Sequence, residues 1–322
     1  MSRIGVLGGG AWGTALAAVM ASDAEVLLWA REPEVAGAIN AAHENTLFLP
    51  GIALPGAVLA TTALAELATC DVWLVVTPAQ HLRAVLAAAD LSERPQLVLC
   101  AKGIEAGSHK LMTEVAADLI GTPVAVLSGP TFAHEVAAGK PTAATLACTD
   151  TAAGAALVRR LVRPALRLYQ SVDVIGAEIG GAVKNVLAIA CGVFEGAGLG
   201  LNARAALIAR GFAEMTRFGL ARGARAETLA GLSGLGDLVL TCSSANSRNF
   251  TLGMGLGRGE GAAALLTGRT VAEGAATAPV LVEAARSIGV DMPICAAVAA
   301  LLDGAPLAQT IVDLLSRPLR TE

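Results

Sequence analysis

Aromatic side chains are scarce in this chain of 322 residues: three Trp, one Tyr and six Phe make up 3% of it. Its core must therefore be built from Ala, Val, Leu and Ile, which suits buried parallel strands covered by small-residue helices. Charge is also scarce, at 16%, and nearly balanced, with a formal net charge of −4. That balance supplies no basic face for nucleic acid. Six cysteines (Cys70, Cys100, Cys148, Cys191, Cys242, Cys295) lie far apart without a C-x-x-C pair, and His43, His81, His109 and His134 are equally scattered. Zinc-ligand spacing is missing, so no metal is expected, and the thiols read as buried free cysteines in a reducing cytosol.

One long uncharged run lies near the start of the chain. Nineteen residues from Ile4 to Ser22 carry no charge and end in small residues, as a signal peptide would. Five glycines within that run weaken a spanning helix and suit a phosphate loop better. A cytoplasmic protein without a membrane span is therefore expected.

That same run holds the chain's most informative motif. A short apolar strand leads into Gly8-Gly9-Gly10-Ala11-Trp12-Gly13 and then into the helix-prone 14–20. Gly8, Gly10 and Gly13 fall on G-x-G-x-x-G: the first permits a tight turn, the second admits a pyrophosphate, and the third lets helix and strand pack closely. The helix N-terminus offers free N–H groups to phosphate. Strand-like segments follow at 25–30, 71–77, 96–101 and 123–127, with a weaker one at 59–61, separated by helical patterns. This βαβ rhythm predicts an α/β Rossmann-type, doubly wound, mostly parallel sheet. Segments 142–149 and 166–171 read as an appended edge, and 43–55, with two prolines and a glycine, as an irregular loop. From Ala177 onward only helix-length apolar segments remain, at 177–194, 203–218, 262–266, 277–288 and 295–302. The expected organisation is a dinucleotide-binding domain over 1–175 and an all-α C-terminal domain over 176–322.

An acidic residue at the end of the second strand suits NAD, and an arginine there suits NADP. Here Arg31 occupies that place with Glu32 beside it. NADPH is favoured, and NADH stays open.

Polar residues recur where packing does not demand them. Lys102 follows a strand, at the carboxyl edge where open α/β sheets bind ligands. Ser128-Gly129-Pro130-Thr131-Phe132-Ala133 follows the next one. Lys184 stands in a very apolar helix, one turn after Gly180 and Gly181, which leave room for a ligand. Burial there would disfavour the ammonium and draw its pKa towards neutrality, as a proton donor to a carbonyl oxygen requires; the alternative is an amine reaching solvent along a packed stem. Asp237 and Thr241 share one face of a turn, with a helix cap as the other reading of Asp237. Ser247-Arg248-Asn249 offers a hydroxyl, a guanidinium fork and an amide to a phosphate, or caps a helix.

Taken in order, these segments resemble the bacterial NAD(P)-dependent glycerol-3-phosphate dehydrogenases. The resemblance covers almost the whole chain and includes Leu49-Pro50-Gly51, Leu54-Pro55, the 202–208 segment and Val271-Ala272-Glu273-Gly274. It implies reversible hydride transfer between NAD(P)H and dihydroxyacetone phosphate, giving sn-glycerol 3-phosphate for phospholipid synthesis. It makes Lys184 the acid/base and Lys102 a second active-site lysine that polarises the carbonyl oxygen or holds substrate and cofactor. Asn185 and Asp237 orient the lysine and bond substrate hydroxyls, and Thr241 lies beside them. Gly129 and Thr131 form a substrate-side loop, and Ser247, Arg248 and Asn249 the phosphate clamp. Gly8, Gly10, Ala11, Trp12, Gly13, Arg31, Lys102, Ala133, Arg248, Val271 and Glu273 face the cofactor. A homodimer follows by analogy. The chain departs from the family at Gly9 (commonly Ala), Ala11 (commonly Ser) and Thr131 (commonly Ser), which bears on cofactor affinity more than on reaction type.

Two other readings compete. A related hydroxyacid dehydrogenase or ketopantoate-type reductase would use Arg248 for a carboxylate. An idle nucleotide sensor would keep the fold without turnover. Lys184 and Lys102 weigh against the second.

Overall fold

The computed structural model describes residues 3–93, 95–121, 124–267 and 272–316. Eight strands form the main sheet: β1 (Arg3–Leu7), β2 (Glu25–Trp29), β5 (Val58–Thr61), β6 (Val72–Val75), β7 (Gln96–Leu99), β8 (Ala125–Ser128), β9 (Thr142–Ala147) and β10 (Leu166–Ser171). Their order is β10-β9-β8-β7-β6-β1-β2-β5, and every neighbouring pair is parallel except β8 with β9. Strands such as β6, Val-Trp-Leu-Val with all four residues buried, are apolar on both faces because helices cover both. Strand order reverses at β1, between β6 and β2, which makes a crevice above its carboxyl end. The Gly8 loop, Arg31, Thr77, Lys102 and Gly129 all follow strands at that one edge.

The antiparallel β9 with its parallel neighbour β10 is the appended edge that the sequence suggested. The weak 59–61 segment is a true strand at the opposite edge, paired with β2. The expected strand at 123–127 begins later, at Ala125; Pro123 lies outside the described residues.

Residues 43–55 do not form an irregular loop. Glu44–Asn45 (β3) and Leu49–Ala53 (β4) pair as an antiparallel hairpin, closed by Leu54 N–H donating to His43 O at 2.8 Å and Gly51 N–H donating to Glu44 Oε1 at 2.8 Å. Prolines and a glycine hid the strands, because β4 has no alternating pattern and Gly51 adopts a positive φ of 78°.

Among the described residues no strand follows β10; the rest is helical. The helix Val174–Gly196 runs through the middle of this part, capped by Asp173 and buried along almost its whole length. It is long and apolar enough to cross a membrane, yet 94% of its most apolar window is covered by protein. Helices Leu201–Ala221, Arg248–Gly257, Glu273–Ser287 and Pro293–Leu302 surround it. The sheet side reaches into this core. Ile104 and Leu111, from the connection after β7, are fully buried among its side chains. Glu178 accepts hydrogen bonds from Thr113 N–H at 2.8 Å and from Thr113 Oγ1–H at 2.6 Å.

Candidate active site

The glycine loop has the geometry a pyrophosphate requires. Gly8 takes φ 137° and donates its N–H to Trp29 O at 3.1 Å, turning the chain tightly off β1. A Cβ on Gly13 would overlap the Gly8 carbonyl, so only glycine lets the helix Ala11–Met20 start this close. Beside Gly10 a Cβ would meet nothing within 4 Å, and no side chain caps the helix. Its first N–H groups therefore face open space, ready for an anion. Ala11 and Trp12 are partly buried in the first turn, with the indole N–H of Trp12 buried and unpartnered. The departure at Gly9 has a local cause: a Cβ there would stand 2.6 Å from Ala30 Cβ. Ala133 opens the helix Ala133–Ala137, which packs against the loop's helix. Arg31 stands just beyond β2, 76% exposed, with Nη2 2.7 Å from Glu32 Oε1.

The centre of the crevice holds a buried charge cluster. Lys184 Nζ donates to Asp237 Oδ1 at 2.7 Å and to Thr241 Oγ1 at 3.0 Å. Lys102 Nζ donates to Asp237 Oδ2 at 2.7 Å and to Gly129 O at 3.3 Å. Asp237 is 1% exposed and begins the helix Asp237–Cys242 after a π-helical turn over Leu232–Gly236. It does not act as a helix cap; Gly236 holds that position. Burial pushes Lys184 down to about 8, with Asp237 opposing and Lys102 reinforcing. Burial works to raise Asp237, but the two ammonium groups outweigh it and hold the carboxyl below its usual range.

Gly180 and Gly181 do not leave room for a ligand. A Cβ on Gly180 would collide with the Ser233 backbone, and one on Gly181 would come 3.0 Å from Ser128 Oγ and 3.2 Å from Lys102 Cγ. Their smallness instead lets the Lys184 helix press against the loop before Asp237 and against the Lys102 side chain.

The third group lies at the start of the helix Arg248–Gly257. Ser247 caps that helix, its Oγ accepting from Phe250 N–H at 3.2 Å. Asn249 Nδ2 donates to Asn185 Oδ1 at 3.0 Å, and Gly274 N–H donates to Asn249 Oδ1 at 2.9 Å. The Asn185 amide oxygen thus serves Asn249, whereas Asp237 and Thr241 hold Lys184. Arg248 itself is exposed. Burial raises the Glu273 carboxyl, opposed by the positive charges of Arg248, Lys102 and Lys184 and by the Ala79 N–H. Thr131 Oγ1 donates to Gly129 O at 3.2 Å. Val271 lies outside the described residues.

Several polar residues here carried no expectation. Ser128, Thr77 and Ser233 bury hydroxyl oxygens without a partner around the same edge. A hydroxyl residue ending a buried strand, as in Val76-Thr77-Pro78, was the available signal for Thr77. Asn45, fully buried, bonds directly to the glycine loop. Among the described residues, no three His, Cys, Asp or Glu side chains converge as a metal site would need.

Comparison with known proteins adds to this geometry. Residues 3–154 match the model of the NAD-dependent glycerol-3-phosphate dehydrogenase N-terminus, and residues 173–313 that of the C-terminus. A protein of Sphingopyxis alaskensis named glycerol-3-phosphate dehydrogenase (NAD(P)+) 1 is 63% identical over 324 residues, covering 99% of this chain and 98% of its own. The crystal structure of glycerol-3-phosphate dehydrogenase from Coxiella burnetii superposes with a TM-score of 0.93 at 37% identity, covering 98% of this chain and 99% of that one. A structure of glycerol-3-phosphate dehydrogenase from Saccharomyces cerevisiae gives 0.82 at 28%, with the same coverage.

Proposed function

Because this chain belongs to the family of NAD-dependent glycerol-3-phosphate dehydrogenases, we propose that the Lys184–Asp237–Lys102 cluster is its catalytic centre. The chain is an oxidoreductase acting on a CH–OH group, interconverting dihydroxyacetone phosphate and sn-glycerol 3-phosphate with NAD(P)(H). With its pyrophosphate held at the Gly8–Gly13 loop, a nicotinamide cofactor would supply or accept the hydride.

One observation carries the mechanism: a single buried carboxylate holds two lysines side by side. Lys184, poised near 8, protonates the ketone oxygen during reduction and takes the hydroxyl proton during oxidation. Lys102 draws electron density onto the same oxygen and holds the substrate against Gly129 and Thr131. Asp237 and Thr241 aim the Lys184 amine. Arg248 closes on the phosphate with the Ser247 hydroxyl and the Asn249 amide, and the Asn185–Asn249 bond keeps that clamp beside Lys184. Arg31 takes the adenosine ribose end, and Trp12, Ala133 and Glu273 complete the cofactor side. In this reading residues 1–175 form the nucleotide-binding domain, which also brings Lys102, Gly129 and Thr131 to the substrate, and residues 176–322 form the substrate and catalytic domain. Supply of glycerol 3-phosphate to phospholipid synthesis, a cytoplasmic location and a homodimer belong to the same proposal.

The test is loss of reduced-nicotinamide absorbance with dihydroxyacetone phosphate, run beside unphosphorylated dihydroxyacetone, for the wild type and Lys184→Ala. Turnover that requires the phosphate and vanishes in the variant, with nucleotide binding retained, supports the assignment. Near-normal rates in Lys184→Ala would remove it.

A further inference from the structure

The hairpin β3–β4 has one fully buried polar residue, Asn45, and its side chain is completely engaged. Asn45 Nδ2 donates to Gly9 O at 2.8 Å and to Thr14 Oγ1 at 2.7 Å, while Oδ1 accepts from Phe48 N–H at 3.0 Å. One amide thus joins the hairpin turn, the middle of the glycine loop and the first turn of the following helix. Around it, Leu49 is buried with Ala15 and Val136, and Ile52, Ala11, Trp12 and Ala133 pack against them. The hairpin is therefore built onto the phosphate loop.

Peptide geometry gives this contact a directional consequence. In a planar trans unit the C=O and the following N–H point in opposite directions, and no cis bond occurs among the described residues. Since Asn45 holds the Gly9 carbonyl inward, the Gly10 N–H of the same unit points outward. Outward is the side where a Cβ on Gly10 would meet nothing within 4 Å. A loop of glycines has little intrinsic preference among backbone conformations, so its shape must be imposed from outside. We infer that Asn45 is the positioning residue for the pyrophosphate subsite: by claiming the Gly9 carbonyl it fixes the 9–10 peptide with its N–H towards the phosphates. The inference rests on the dehydrogenase reading above.

The experiment is an equilibrium titration of NADH and of NADPH, followed by nicotinamide fluorescence, on wild type, Asn45→Ala and Asn45→Asp. Asp keeps the shape and the acceptor for Phe48 N–H but loses the donors to Gly9 and Thr14, so it carries the test if the Ala variant does not fold. The expected result is at least a tenfold rise in Kd, the same for both nucleotides because the pyrophosphate is common to them. The KM for dihydroxyacetone phosphate at saturating nucleotide should stay unchanged. Unchanged Kd values, a loss confined to one nucleotide, or an equal loss in substrate KM would overturn the positioning role. Wild type that binds neither nucleotide would overturn the dehydrogenase reading itself.

Discussion

Lys184 Nζ and Asp237 Oδ1 lie 2.7 Å apart with both side chains almost wholly withdrawn from solvent. Asp237 gives its other oxygen to Lys102, so one negative charge serves two positive ones. In Asp237→Asn the two ammonium groups face each other without compensation, and breaking a buried ion pair costs about 3–5 kcal/mol. The variant should melt lower and lose on the order of tenfold or more in kcat. Calorimetry and steady-state kinetics check both; an unaltered kcat would detach the carboxylate from the chemistry.

The pH profile follows from Lys184. Ketone reduction needs its ammonium form, so the rate should fall as pH rises through about 8; alcohol oxidation needs the free amine and should rise over the same range. Asp237 acts to raise this pKa, so Asp237→Asn should carry both limbs towards acid. Measuring kcat against pH in each direction tests the sign, and limbs that stay in place would assign the titration to another group.

Arg248→Ala removes a charge-assisted contact worth about 1.5–3 kcal/mol. The KM for dihydroxyacetone phosphate should rise by roughly ten- to a hundredfold, with little change for dihydroxyacetone. Equal effects on both substrates would place the phosphate elsewhere.

Arg31 is tied to Glu32 by an exposed ion pair, and such pairs hold by only about 0–1 kcal/mol. A 2′-phosphate can therefore take the guanidinium from Glu32 at small cost. Glu32→Gln should raise the NADPH-to-NADH preference by about two- to fivefold, and Arg31→Ala should lower it. Kd ratios that do not move in either variant would exclude Arg31 from cofactor choice.

Long-range order was legible where local chemistry repeats. The strand–glycine–helix start, the βαβ rhythm and the switch to helices after β10 are all written in runs of a few residues. The hairpin was not, because Leu-Pro-Gly-Ile-Ala has no alternation and its shape depends on Glu44 and Asn45 reaching across space. Gly180 and Gly181 read as room for a ligand, because what fills that space (the Ser233 backbone and the Lys102 stem) comes from distant sequence. Lys184, Lys102 and Asp237 could each be singled out in the chain. Their sharing of one carboxylate belongs to the fold alone.

Ile104 and Leu111 have a bearing on how the chain falls apart. They leave the sheet side and bury themselves in the core of the helical part, while Thr113 is gripped by Glu178. Cutting the chain after β10 would strip the first part of the surface those two residues occupy and leave the second with two empty sockets. The halves are thus not interchangeable modules: each lacks part of its own interior until the other is present, and they should melt as one unit.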